Sequence, residues 1–230
     1  MFSLFRKKPV FEFYTSNIAA LTDHPVRTGV KEIQSVFKRI KTDEISIKKC
    51  PGIVEYSRHG YIISAWQDIE ITVDEAGENY VWRTPLNTYD FILDAPIKGA
   101  TLPEVFLMKR EAFYDHFPRE NTFKSVIKIN TPWSVKMPKG YALLFAPVWY
   151  DNETRFEVIP GILNDPDNNY IHVQIYWHVI GRTEIIKAGT PLVKLIPVPD
   201  EIFKYESRQA TKEEAIDYKL KIYRTNNSFR

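Results

Sequence analysis

The stretch that decides the fold reads PWSVKMPKGYALLFAP at residues 132–147, and three later segments continue its pattern. These segments read IPGILND at 159–165, IHVQI at 171–175 and IIKAGTPLVKLI at 185–196. The segments 132–147, 159–165 and 185–196 combine short apolar runs with Pro and Gly, which set the backbone angles of tight turns. Apolar and polar residues alternate in 171–175, which is typical of a strand with one buried face. Residues 127–198 are therefore predicted to form a compact β-sheet core.

Strands are also predicted before this core. Segment 61–66 is apolar on both faces, as in a central strand, and segment 11–14 alternates weakly. Residues 68–74 alternate clearly, and the turn-forming segment 75–79 joins them to 80–84, which predicts a hairpin. Because Pro outnumbers Gly by 15 to 9 and aromatic residues make up 14% of the chain, extended structure is expected to dominate.

Two helices are predicted beside the sheets. Near residues 30–41, apolar side chains recur at the spacing of one helix face, which indicates a peripheral amphipathic helix. At the C-terminus, residues 211–214 read TKEE, a capping box that predicts a docking helix over 210–223. No linker rich in Gly, Ser or charge divides the chain, so residues 1–230 are predicted to form one continuous β-rich body. The predicted class is mainly β with a minor α+β component.

The order of turns and strands in 127–198 resembles the core of the dUTPase and dCTP-deaminase superfamily. A proline-glycine turn enters one strand, a glycine begins a strand that ends in an acidic turn, and a lysine-glycine turn precedes the last strand. This resemblance implies a β-clip barrel or sandwich. It also implies self-association, since the dUTPase relatives are trimers.

The residues that these enzymes use for catalysis are mostly replaced. The aspartate that activates water in the family corresponds to Asn164, with Asp165 one position later, and the phosphate loop corresponds to PVWY at 147–150. The family's metal-holding Ala-Gly-x-Asp motif has no match in this chain, whereas Tyr170 corresponds to the tyrosine that stacks on the sugar. The resemblance therefore implies three candidate ligand-binding residues, Asn164, Asp165 and Tyr170, and no catalytic residue, metal or cofactor.

The whole chain is also similar to an uncharacterised family found in tailed phages of marine bacteria. The segments that carry this similarity are KKCPG at 48–52, GYII at 60–63, 132–141, PGI at 160–162 and KAGTP at 187–191. The similarity implies a phage or prophage origin, and hence a place in the host cytoplasm or the virion.

Composition excludes several classes of function. Thirty-one basic and 29 acidic residues leave a formal charge of +2, which gives no general attraction to nucleic acid or to a membrane. No apolar run approaches the roughly 20 residues that span a bilayer, and residues 2–5 are too short for a signal peptide. The single cysteine, Cys50, cannot form an internal disulfide and is predicted to be a buried structural residue at the end of a strand.

His172 and His178 lie six residues apart and would share a face of one long strand. A metal site would need a third ligand, and no further histidine or carboxylate follows at ligand spacing, so packing is the favoured interpretation.

Two functions fit these observations. The favoured hypothesis is a non-enzymatic phage protein whose β-clip scaffold serves assembly or protein interaction, as a homo-oligomer or with other phage proteins, including as a virion component. The alternative is a nucleotide-binding or nucleotide-hydrolysing protein of the dUTPase-like superfamily with an altered site.

Overall fold

The computed structural model describes residues 8–30, 50–85, 105–108, 110, 113–149, 153–165 and 169–228. Its helices are α1 Ile18–Asp23, α2 Pro51–Arg58 and α3 Lys212–Ser228. Its strands are β1 Glu12–Tyr14, β2 Arg27–Thr28, β3 Tyr61–Ser64, β4 Ile69–Val73, β5 Tyr80–Arg83, β6 Val105–Leu107, β7 Ile127–Lys136, β8 Tyr141–Ala146, β9 Phe156–Val158, β10 Gly161–Leu163, β11 Tyr170–Trp177, β12 Arg182–Ile186 and β13 Pro191–Pro199.

The strands form three antiparallel sheets. The first has the order β1-β7-β11-β9, with β6 also paired to β7, and the second has the order β10-β8-β13-β3-β2. The third, β12-β4-β5, contains the predicted hairpin. Within the described ranges none of these sheets closes into a barrel, so the prediction of a mainly β fold is confirmed in an open form. Strands from the first 83 residues lie in every sheet beside strands from the C-terminal half.

The core lies between the sheets and follows the alternation of the sequence. In β11 the side chains of Ile171, Val173 and Ile175 are fully buried, whereas the residues between them are half-buried on the opposite face. Burial of one such aliphatic side chain stabilises the fold by about 1.5–3 kcal/mol. The two largest fully buried side chains are Trp133 and Trp177, from the neighbouring strands β7 and β11. The polar positions left over on β11 face a cavity described in the next subsection.

Two glycines hold tight connections. The predicted turn before β8 is present, since the backbone N of Tyr141 donates to Pro138 O at 3.2 Å and Gly140 has a φ of 81°. Gly60, which precedes β3, has a φ of 82°, and a Cβ placed on it would lie 2.4 Å from Leu195 O. A side chain at Gly60 would therefore meet both backbone strain and a collision with β13.

The C-terminal helix is confirmed as α3, and its capping box forms as the sequence predicts. Thr211 Oγ1 accepts from Glu214 N at 3.2 Å, and a carboxylate oxygen of Glu214 accepts from Thr211 N at 2.8 Å. Arg208 pairs with the same carboxylate at 2.6 Å and lowers the pKa of Glu214 to about 2. Residues 200–222 are exposed throughout. The docking of 210–223 therefore stays a prediction, because the hydrogen bonds of the capping box do not attach the helix to another surface.

The helix predicted near residues 30–41 lies outside the described residues, apart from Val30. The prediction of a buried Cys50 is wrong, because Cys50 is exposed. Pro51 occupies the first turn of α2, where its fixed φ favours helix initiation, and Cys50 is the preceding cap residue rather than the end of a strand. No helix in the described ranges is long and apolar enough to cross a membrane.

Candidate functional site

A cavity of about 290 Å³ lies between strands of the first and second sheets. Its lining comprises Phe145, residues 159–165, Tyr170, His172 and Gln174. One wall is β11 of the first sheet, the opposite wall is β10 of the second sheet, and the end of β8 contributes Phe145. The volume lies at the small end of the roughly 300–1,000 Å³ that is usual for small-molecule pockets.

The β11 wall consists of alternate side chains on a single strand face. Tyr170, His172 and Gln174 are half-buried there, because the residues between them point into the core. A register shift between Tyr170 and His172 in the pairing with β7 changes the local direction of the strand. This face supplies an aromatic ring, an imidazole and an amide at neighbouring positions, so it offers both stacking and hydrogen bonding to a ligand.

The β10 wall is the edge of its sheet. The chain leaves β9 in the first sheet, crosses through Ile159 and Pro160, and pairs with β8 from Gly161 to Leu163. Only one side of β10 has a neighbouring strand in the part of the chain that is described. An edge strand keeps a row of backbone donors and acceptors that its own ladder does not use. The cavity is therefore bordered by main-chain polar groups as well as by side chains.

The three residues predicted from the sequence lie together in this cavity. Asn164 and Asp165 follow β10 and are exposed, and Tyr170 begins β11 on the other side of the same connection. The Asn164 amide donates to the Asp200 carboxylate across 3.4 Å, which is a long and weak hydrogen bond. The short connection from β10 to β11 brings the three side chains together, and their role in binding stays a prediction.

His172 has the most perturbed titration at this site. Burial is the main cause, and the positive charge of Lys128 adds to it; together they lower the pKa of His172 to about 4. Lys128 belongs to β7 and is the cross-strand partner of Gln174 in the pairing with β11. At neutral pH the imidazole is therefore neutral, with one ring nitrogen able to donate a hydrogen bond and the other able to accept one.

Metal ligands do not converge in the described ranges. No group of three or more His, Cys, Asp or Glu side chains comes close enough there to hold an ion. The strand that carries His172 ends at Trp177, so His178 lies beyond it, and its backbone N donates to Arg155 O at 2.8 Å.

The segment that corresponds to the family's phosphate loop is apolar where it is described. Trp149 is exposed, and Pro147 O accepts a hydrogen bond of 2.7 Å from the Tyr56 hydroxyl of α2. Tyr150 lies outside the described residues. No basic side chain comes from Pro147, Val148 or Trp149 themselves, so these residues offer no charge to a phosphate group.

Comparison with known proteins gives distant likenesses only. No family model matches the chain, and no curated protein matches it. Among solved structures, a point mutant of the dUTPase from phage phi11 of S. aureus, described with a structural Mg(II) ion, is 11% identical with a TM-score of 0.39 and covers 88% of this chain and 99% of its own. A mutant of the Staphylococcus bacteriophage 80alpha dUTPase, with dUpNHpp, is 11% identical with a TM-score of 0.40 and covers 88% and 98%. At these values the likeness supports no conclusion about the function of this chain. The similarity to a family of tailed phages stays a prediction.

Sequence reasoning missed several residues of this cavity. The sequence pattern favours packing over metal binding for His172, and it predicts no binding role for Gln174 or Phe145. The alternation of 170, 172 and 174 was the available signal, because it places all three on the face that carries Tyr170. No comparable signal marks Phe145, since its contact with the cavity depends on how strands of the two sheets come together.

Proposed function

We propose that this protein binds a nucleoside or nucleotide in the cavity between β10 and β11, and that it does so without hydrolysing it. The observation that carries the proposal is the meeting of Tyr170, His172 and Gln174 with the free edge of β10 around one small cavity. A flat heteroaromatic base has a face for stacking and an edge with alternating donors and acceptors, so it matches both walls.

The chemistry of the cavity favours binding over hydrolysis. A general base works best when its pKa lies near the operating pH. The pKa of His172, at about 4, is far below neutrality, and Asn164 cannot accept a proton as a carboxylate would. Asp165 is the single carboxylate among the described residues that line the cavity. Without a paired acid and base there, binding is the activity that the site supports.

The test is a thermal-shift screen with the nucleosides of the four DNA bases and their 5′-monophosphates. A ligand present at about 100 times its Kd stabilises the fold by about 2.7 kcal/mol. This raises the melting temperature by about 5 °C or more in a chain of this size. Tyr170→Ala should weaken binding by about fivefold to 150-fold, since a stacked base contributes about 1–3 kcal/mol. The matched control is Tyr205→Ala, because Tyr205 is exposed and lies outside the cavity.

Two results would contradict binding in the cavity, and a third would contradict the absence of hydrolysis. One is the absence of any stabilisation across the whole ligand set. The other is stabilisation that Tyr170→Ala leaves unchanged, because the ligand would then bind elsewhere. Release of pyrophosphate or phosphate from a nucleoside triphosphate by the wild-type protein would contradict the absence of hydrolysis.

A second candidate function is assembly, and the C-terminal arm, residues 201–228, favours it, since residues 201–222 are exposed. Ile202 is 100% exposed, Phe203 is 66% exposed and Tyr205 is 88% exposed. In α3, Ile216 and Leu220 share one face and are about half exposed. Most of the stability of a helix in a protein comes from packing of its apolar face, so contacts with another molecule would stabilise α3.

We infer that this arm holds copies of the chain together. Light scattering after size exclusion should then give an assembly for the full chain and a monomer for a chain ending at Asp200, which keeps the contacts of Asp200 with Gly140 and Asn164. The melting temperature of the body should stay the same, because residues 201–222 are exposed. A full chain that elutes as a monomer would contradict assembly through the arm and leave the cavity proposal intact.

A further inference from the structure

A second cavity, of about 440 Å³, adjoins the first. It lies at the opposite end of β8 from Pro147, between the end of β7, the turn into β8 and the end of β13. Its lining residues are Val135, Lys136, Met137, Pro138, Lys139, Gly140, Tyr141, Asn164, Asn169 and Asp200. Asn164 lines both cavities, so they adjoin at this residue.

Asn164 is a weak partition between them. Its amide contacts Asp200 at 3.4 Å, and both residues are exposed, so rotation of the Asn164 side chain costs little. Asp200 itself is fixed, because its backbone N donates to Gly140 O at 3.0 Å. A ligand longer than one ring can therefore pass Asn164 from the first cavity into the second without moving the main chain.

The second cavity carries two cationic side chains that the first lacks. Lys136 lies 3.5 Å from Glu12 on β1, with both side chains about two-thirds exposed, and such a pair contributes little and exchanges readily. Lys139 occupies the second position of the turn that Gly140 completes, and within the described ranges it has no ion pair. With Asp200 and the Glu12 partner of Lys136, two carboxylates face two lysines here, so the attraction to an anion depends on Lys139.

We propose that the second cavity is the subsite for a phosphate monoester, and that a bound nucleotide spans both cavities with its base in the first and its phosphate near Lys139 and Lys136. This inference rests on the proposed function. Lysine binds phosphate as a flexible point charge, which suits an open turn better than the planar fork of arginine does. The apolar segment 147–149 gives the phosphate no comparable charge at the other end of β8.

The experiment measures the affinity of the full chain for a nucleoside, for its 5′-monophosphate and for inorganic phosphate, by calorimetry at low salt. The monophosphate should bind at least about fivefold more tightly than the nucleoside, and this advantage should shrink at high salt because the attraction is between partly exposed charges. Lys139→Gln should remove most of the advantage and leave the affinity for the nucleoside within about twofold. Lys219→Gln, on the exposed helix α3, is the matched control and should change neither affinity.

The outcomes separate the two proposals. Equal affinity for nucleoside and monophosphate would overturn the phosphate subsite and leave base binding in place. A Lys139→Gln variant that weakens both ligands equally would also overturn it, because the lysine would then act on the whole site. Inorganic phosphate that competes with the monophosphate supports the subsite. A wild-type protein that binds neither ligand would overturn the subsite together with the proposed function.

Discussion

Acidification should destabilise this protein through His172, and the size of the effect follows from its environment. The pKa of His172 is about 4 in the folded chain, against 6.5 for an unperturbed imidazole such as that of the unfolded chain. The unfolded state therefore binds more protons below pH 6.5, and the stability present above that pH is lost progressively as the pH falls toward 4. At about 1.4 kcal/mol per pKa unit, the upper limit of the loss in unfolding free energy is about 3 kcal/mol. Partial exposure of the imidazole reduces the expected loss to about 1–2 kcal/mol.

Urea denaturation followed by tryptophan fluorescence measures this loss directly. Between about pH 7.5 and about pH 5, the wild-type protein should lose about 1 kcal/mol more than His172→Gln, because the substitution removes the titrating group. His116→Gln removes the same side chain from an exposed position and should behave as the wild type does. An identical loss in His172→Gln and the wild type would refute the assignment of the acid-sensitive group to the cavity.

Three further predictions concern the fold. Gly60→Ala should destabilise the protein by about 2–4 kcal/mol in chemical denaturation, from positive φ and the collision with β13, whereas Gly52→Ala in α2, where a Cβ meets nothing, should be neutral or stabilising by up to about 1 kcal/mol. Ile175→Ala should lower the free energy of unfolding by about 2–5 kcal/mol, and Trp177→Phe should lower it by less. The reason is that the buried indole N–H has no hydrogen-bond partner among the described residues, so its removal offsets part of the lost packing. An equal or larger loss of stability in Trp177→Phe would contradict this. Thr211→Ala should weaken the capping box, which stabilises its helix by about 0.5–2 kcal/mol, and should therefore reduce the helical signal in circular dichroism. The temperature of the main melting transition should stay unchanged. A lower temperature for that transition would show that α3 packs on the body.

The sequence predicts those parts of this fold that local physics determines. The alternation in β11, the hairpin of β4 and β5, the turn at Gly140 and the capping box at Thr211 each depend on residues close together in the chain, and each forms as expected. The prediction that fails concerns a residue whose burial depends on the neighbouring secondary structure. Cys50 is small and apolar enough for a core, and only the start of α2 at Pro51 places it in solvent.

The candidate site shows the same division. Asn164, Asp165 and Tyr170 flank a single short connection, so their proximity follows from the sequence alone. The remaining walls come from the crossing of the chain between two sheets at Pro160 and from Phe145 at the end of β8. The second cavity depends on Asp200 lying beside the turn at Gly140, and the separation of 60 positions between them hides that contact from any local pattern.

The most direct test of nucleotide binding between β10 and β11 is a nitrogen-15 NMR titration of the full chain with the nucleoside 5′-monophosphate that stabilises it most. The account predicts that the largest amide shifts fall on Gly161, Asn164, Tyr170 and His172, with smaller shifts at Lys139. Shifts confined to residues outside both cavities, or no saturable shift with any of the four monophosphates, would contradict it.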